Sequence, residues 1–198
     1  MLVAAAAVVL VVAGIGALQL RKHASPAPSD TLAILPDSNA RLLEVGLDHH
    51  IHCSIDVGFA NRSFTEEEIM QTLGPDYNGL VTMVEQKIPG SYKIVVGHRC
   101  ASNGRKFVHL ILKSPQTTYS LLITRKNGEA FTQQNAAAII QGSDIPIYDT
   151  RMKDLEVAGF ETRDYLAFIV SDLGREDNIQ MASKLGPVVR DFLTKLEA

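Results

Sequence analysis

The residues that could do chemistry are gathered in two short strings. DHHIHC, residues 48–53, and GHRC, residues 97–100, hold four of the six histidines and both cysteines, and His109 follows soon after. Thiolates and imidazoles together are the donors from which zinc and copper sites are made. The spacing is looser than the paired C-x-x-C motifs of a zinc knuckle, so convergence has to come from the fold.

The elements that carry these residues decide which of them meet. Over residues 48–59, Ile51, Cys53, Ile55 and Val57 alternate with His50, His52, Ser54 and Asp56. Period two predicts a half-buried strand, with His52 and Cys53 on opposite faces and Cys53 toward the core. Residues 93–100 and 105–113 are Val-, Ile- and Leu-rich runs on either side of Asn103-Gly104, the dipeptide of a two-residue type I′ hairpin turn. That turn sets Ser102 opposite Arg105, Cys100 opposite Phe107 and His98 opposite His109. Opposed residues have Cβ atoms about 4.5–5.5 Å apart, suited to chelation. On this register His98, Cys100 and His109 share a face with Ile94, Val96, Phe107 and Ile111. A strand at 48–59 beside the hairpin would add Cys53. The expected metal ligands are therefore Cys53, His98, Cys100 and His109, with His50 or His52 as substitutes if the first strand twists; zinc or copper is the fitting ion.

Three other readings compete for the same residues, one of them simply two unrelated structural cysteines. A Cys53–Cys100 disulfide would close a loop of roughly 48 residues and stabilise by about 4 kcal/mol in the chain-entropy model. Both it and a shared ion require the two cysteines to lie close together. An enzyme would need a nucleophilic set such as Cys53 or Cys100 with a histidine and Asp48 or Asp56. The chain has no G-x-S-x-G elbow, phosphate-binding Gly loop or H-E-x-x-H helix to support one. Glu66, Glu67 and Glu68 fit a helix start, and Asp172 fits a cap or turn.

Around these strings the remaining elements can be read. Residues 41–47 are compatible with a short helix. Thr65 and Glu68 have the spacing of a capping box ahead of a helix that Gly74-Pro75 ends. A second helix runs to about residue 87, with Pro75 near its start. A third strand is expected at 118–126, residues 142–146 read as loop, and further strands at 152–160 and 165–171. An apolar stripe at three- and four-residue steps marks a helix over 176–196, which Gly186-Pro187 would kink or split. The sum is an α+β fold, a mainly antiparallel sheet of five or six strands with helices packed on one face, preceded by one transmembrane helix.

The first eighteen of the 198 residues contain no charged or polar side chain. As a helix they reach roughly 27 Å, about the thickness of a bilayer's hydrocarbon core. Residues 1–20 are thus expected to be a single-pass membrane anchor, 21–40 a Pro-rich linker, and 41–198 the folded domain. A cleaved signal peptide would want basic residues ahead of the apolar run. Arg21, Lys22 and His23 follow that run and favour a cytoplasmic domain by the positive-inside rule; charges upstream of a shortened start would reverse that vote. A net charge of −3 with no evident basic face argues against a nucleic-acid partner.

The anchor together with DHHIHCSI, LGPDYNGLV, GHRCASNGRKFVHLILK and ETRDYLAFIVSDL resembles bacterial membrane-tethered proteins of the transmembrane anti-sigma factor group. In that group a cytoplasmic zinc-binding module precedes the membrane helix and grips the sigma factor; no such module lies in this chain, which starts inside the apolar run. The resemblance implies an extracytoplasmic sensor-like domain, responsive to metal or redox state, with a regulatory protein as partner. The positions it matches are His52, Cys53, His98, Cys100 and His109, and it implies no catalytic role for any of them. The alternatives are a metal-binding protein without a regulatory role and an enzyme of unknown chemistry.

Overall fold

The computed structural model describes residues 38–197 except residue 135. The expected anchor, residues 1–20, and nearly all of the linker lie outside the described residues. Among the described residues, no helix is long and apolar enough to cross a membrane.

The fold is α+β, built on one antiparallel sheet. Helix α1 (Ser38–His50) runs into a π-helical turn, Ile51–Asp56. Helices α2 (Glu66–Leu73) and α3 (Asn78–Glu85) follow. Next come β1 (Lys93–Ser102), β2 (Arg105–Lys113), β3 (Thr118–Arg125), β4 (Ala138–Ile140), β5 (Ile145–Met152), β6 (Leu155–Glu161) and β7 (Tyr165–Ser171). Helix α4 (Arg175–Leu196) closes the domain. The sheet order is β1-β2-β3-β7-β6-β5-β4.

Several expectations hold. Thr65 and Glu68 form the capping box, each side chain meeting the other's backbone N–H. Asn103 and Gly104 both take positive φ, and the hairpin pairs Ser102 with Arg105, Cys100 with Phe107 and His98 with His109. Four expectations are corrected. First, residues 48–56 are helical. Second, the sheet has seven strands, because β4 is an additional edge strand and β5 includes residues 145 and 146 and turns at Lys153-Asp154. Both residues of that turn have positive φ without a glycine to signal it. Third, Gly186-Pro187 does not split the last helix, since Pro187 lies inside one continuous α4. Fourth, helices cover both faces of the sheet.

On one face α2, α3 and α4 pack over Val108, Leu110, Leu121, Ile123 and Ile169. On the other, Leu42, Leu43 and Leu47 of α1 pack against Phe107, Leu122, Phe168 and Val170. A bulge between Ile94 and Val96 puts Ile94 on the first face, away from His98, where strict alternation would not.

Docking of α1 is what brings the first His/Cys string to the hairpin. Leu43 and Leu47 are 1% and 0% exposed, worth about 1.5–3 kcal/mol each. Asn39 clamps the start of the helix, donating to the carbonyls of Thr132 and Gln134 and accepting from the Thr132 N–H. Gly46 lets the helix approach the sheet: a Cβ there would fall 2.5 Å from Cγ of Phe168. Gly46→Ala should therefore destabilise the domain by about 1–3 kcal/mol in urea unfolding, although alanine is the better helix former.

Candidate metal centre

The histidines and cysteines meet in the crevice between the C-terminal end of α1 and the β1–β2–β3 end of the sheet. Ring nitrogens of His49 and His109 and the sulfurs of Cys53 and Cys100 all lie within 4.8 Å of one another. His49 and Cys53 come from the helix and its π-helical extension, Cys100 and His109 from the hairpin. The group is close enough to hold a metal ion.

The turn explains this convergence. His49, His50, Cys53 and Ser54 are buried, while His52, Ile55 and Asp56 face outward. The Val57 N–H donates to the His52 carbonyl five residues back, widening the turn. Both consecutive pairs can then face the sheet, which a strand forbids.

Two of the donor separations match the edges of a tetrahedral site. With metal–sulfur bonds of about 2.3 Å and metal–nitrogen bonds of about 2.0–2.1 Å, a tetrahedron needs edges of about 3.8 Å (S···S) and about 3.6 Å (S···N). Cys53 Sγ lies 3.6 Å from Cys100 Sγ and 3.5 Å from His49 Nε2. His49 Nε2 and Cys100 Sγ, 2.8 Å apart, form a hydrogen bond that an ion would spread by about 0.8 Å.

The surrounding groups hold the donors in place. The His49 ring stacks on Phe107, centroids 3.8 Å apart and planes 9° from parallel. Ser120 Oγ is a hub, 2.8 Å from His109 Nε2, 2.7 Å from His50 Nδ1 and 3.2 Å from Ser54 Oγ. That leaves His109 Nδ1 without a hydrogen-bond partner, buried and available as a ligand. A ligand histidine anchored through its other nitrogen is the arrangement that fixes tautomer and ring orientation in metal sites.

Electrostatics favour a cation. The thiol–thiol contact with Cys100 holds Cys53 well below the usual thiol range, helped by His109 and His49, while the same contact pushes Cys100 up. A divalent ion would displace the thiol protons as it bound. Burial lowers His50 and His109 to about 4 and also lowers His98, so these imidazoles stay neutral at physiological pH.

The sequence-predicted set is thus met in part. Cys53, Cys100 and His109 converge as expected. His98 stands opposite His109 but is not in the group; it packs on Phe59, and its Nε2 has no hydrogen-bond partner. His50 is engaged with Ser120, and His52 is exposed, so neither substitutes. His49 is absent from the expected set: on a strand it would share Cys53's face but lie about 13 Å along it, whereas at i−4 on a helix it is Cys53's neighbour. The cysteines are free thiols at contact distance. Of the residues weighed for catalysis, Glu68 serves the capping box, Asp48 pairs with Lys153, and Asp172 accepts from Thr117.

Two measurements follow. Ser120→Ala removes one hydroxyl and strands two imidazoles, so it should destabilise the metal-free protein by about 2 kcal/mol or more in urea unfolding. Metal-free protein should also lose stability as pH falls from about 6.5 toward 4. Over that window the unfolded chain protonates His50, His98 and His109, all of which burial lowers in the folded domain. The three sites together set a slope of at most about 4 kcal/mol per pH unit, which His50→Gln should lower by about a third. Comparison of the chain with protein-family models and with curated proteins returns no match.

Proposed function

We propose that the domain is the sensing part of a membrane-tethered regulator, and that its signal is occupancy of the His49–Cys53–Cys100–His109 site by zinc. The observation that carries this reading is four soft or borderline donors converging from two separate elements. A Cys₂His₂ donor set suits zinc better than the trigonal or tetragonal preferences of copper(II). Four protein ligands close the coordination shell, whereas a catalytic zinc keeps a position for water or substrate. That argues for a structural or sensory ion. Such an ion would join α1 to the hairpin, so its binding energy adds to the docking of α1. In this reading residues 1–20 tether the domain extracytoplasmically, and a regulatory protein reads the α1 docking state.

The test is elemental analysis of the full chain, purified in nonionic detergent with thiol reductant. One equivalent of zinc is expected. Cys53→Ser, Cys100→Ser and His49→Ala should each weaken binding by about 100-fold or more, Ser120→Ala by about 10–100-fold, and His52→Ala not at all. Metal-free protein under these conditions, or binding indifferent to His49, would overturn the reading. A second reading has its own observation, the 3.6 Å separation of the two thiols. Transfer of two electrons and two protons from Cys53 and Cys100 to a small-molecule disulfide would join them and abolish the metal site. Thiol counting before and after exposure to oxidised glutathione separates the two states.

A further inference from the structure

The β1–β2–β3 end of the sheet carries a second feature on the face opposite α1. Beyond the reach of α2 and α4, a cleft of about 910 Å³ opens around the hairpin, within the size range of small-molecule sites. Arg99, Arg105, Lys106, Arg125 and Lys126 line it, against one acid, Asp76. Such a concentration of positive charge is unexpected in a chain of net charge −3.

The charges differ in how they are satisfied. Arg105 pairs with Glu129 at 2.5 Å and Lys126 with Glu161 at 3.0 Å. Arg99, Lys106 and Arg125 have no ion pair among the described residues. The Arg99 guanidinium lies over Gly74, and Arg125 lies 5.0 Å above the ring of Tyr165.

The register puts these three side by side. Phe107 pairs with Thr124, so Lys106 and Arg125 oppose each other one step further on; the Thr124 hydroxyl donates to the Lys106 carbonyl, showing that the strands remain together there. Lys106 pairs with Ala101, which sets Arg99 on the diagonal, about 7–8 Å away. Like charges facing one another across strands are destabilising, and one glutamate among them would relieve the cost. Between them the floor is apolar: Val108, Ile123 and Tyr165 are 5%, 1% and 3% exposed.

We infer that this cleft binds a small phosphoryl-bearing anion of at least two negative charges, whose oxygens bridge Arg99, Lys106 and Arg125 and whose apolar part lies on the Val108–Ile123–Tyr165 floor. Guanidinium and ammonium donors in this density match phosphate oxygens, which accept charge-assisted and, for arginine, bidentate hydrogen bonds. The inference does not rest on the metal reading: Arg99, Lys106 and Arg125 project from the other face of the strands and are not proposed ligands, although Cys100 also lines the cleft. The phosphoryl group has two sources, a soluble phosphate compound or a phospholipid headgroup.

Calorimetric titration of the full chain in nonionic detergent tests the inference with two probes, inorganic pyrophosphate and soluble dihexanoyl phosphatidylglycerol. At least one should bind with a millimolar or tighter dissociation constant that weakens as salt is added. Binding of pyrophosphate alone assigns the site to soluble phosphates, and binding of the lipid alone assigns it to a headgroup. Lys106→Gln and Arg125→Gln should each weaken binding by about tenfold or more, while Glu67→Gln, on an exposed face of α2, should not. Lys106→Gln should also leave the ligand-free melting temperature unchanged or raised, because it removes a like-charge contact. Binding of neither probe by the wild type, or unaltered binding by both glutamine variants, would overturn the proposal, as would loss of binding accompanied by a lowered melting temperature in both.

Discussion

The structure turns on how polar side chains are held between α1 and the sheet. His49, His50, Ser54, His98, His109 and Ser120 are all buried there, with Cys53. A polar group taken out of water without a partner costs on the order of 1–3 kcal/mol, so this layer is stable only where partners exist. Ser120 supplies them for His50, Ser54 and His109 at once. What Ser120 does not reach, the Nδ1 atoms of His49 and His109 and the Nε2 of His98, stays unpaired. A core selected for packing alone would have apolar side chains at these positions. The stability left behind is the argument that the layer is kept for a ligand.

The π-helical turn is the local device behind it. An α-helix ending at His50 would leave Cys53 and Ser54 to a connecting loop. Continuing the helix in a wider turn keeps both pointing at the sheet and ends it at Gly58, in the left-handed region with φ 78°. Such turns are rare and concentrate at functional sites, because they re-aim side chains at some expense in hydrogen-bond geometry. Here the re-aimed side chain is a sulfur, delivered within 3.6 Å of a second one on the edge strand.

How much of this was legible depended on what kind of signal each residue carried. The hairpin was legible because Asn103-Gly104 fixes a turn type and the turn type fixes register; His98 opposite His109 follows with no tertiary information. The 48–56 segment was misread because a binary pattern counts histidine as polar. Counting His50 as buried gives Asn39, Leu43, Gly46, His50 and Cys53, a stripe at steps of three and four that reads as helix and leads to His49. Strand β5 was lost to Pro146, a strand breaker tolerated here beside the short edge strand β4, and to a Lys153-Asp154 turn without the usual glycine. Coverage of both sheet faces was half visible in the continuous apolar run of β7, buried at every residue.

The same limit applies to charge. Composition sums to −3 and suggests no basic surface, because a sum discards position. Arg99, Lys106 and Arg125 are spread over 27 residues and become neighbours only through two antiparallel pairings. Arg99 and Cys100 are consecutive on β1, so alternation points one side chain to the basic cleft and the other to the candidate metal site, although Cys100 also borders the cleft. Two chemistries that share no ligand are thereby set back to back on one hairpin. Either can be altered without removing a side chain of the other, whereas a slip of one residue in the hairpin register would exchange their faces and destroy both. The Asn103-Gly104 turn that holds this register is therefore under a double constraint, and its conformation matters to the site more than that of any other loop in the domain.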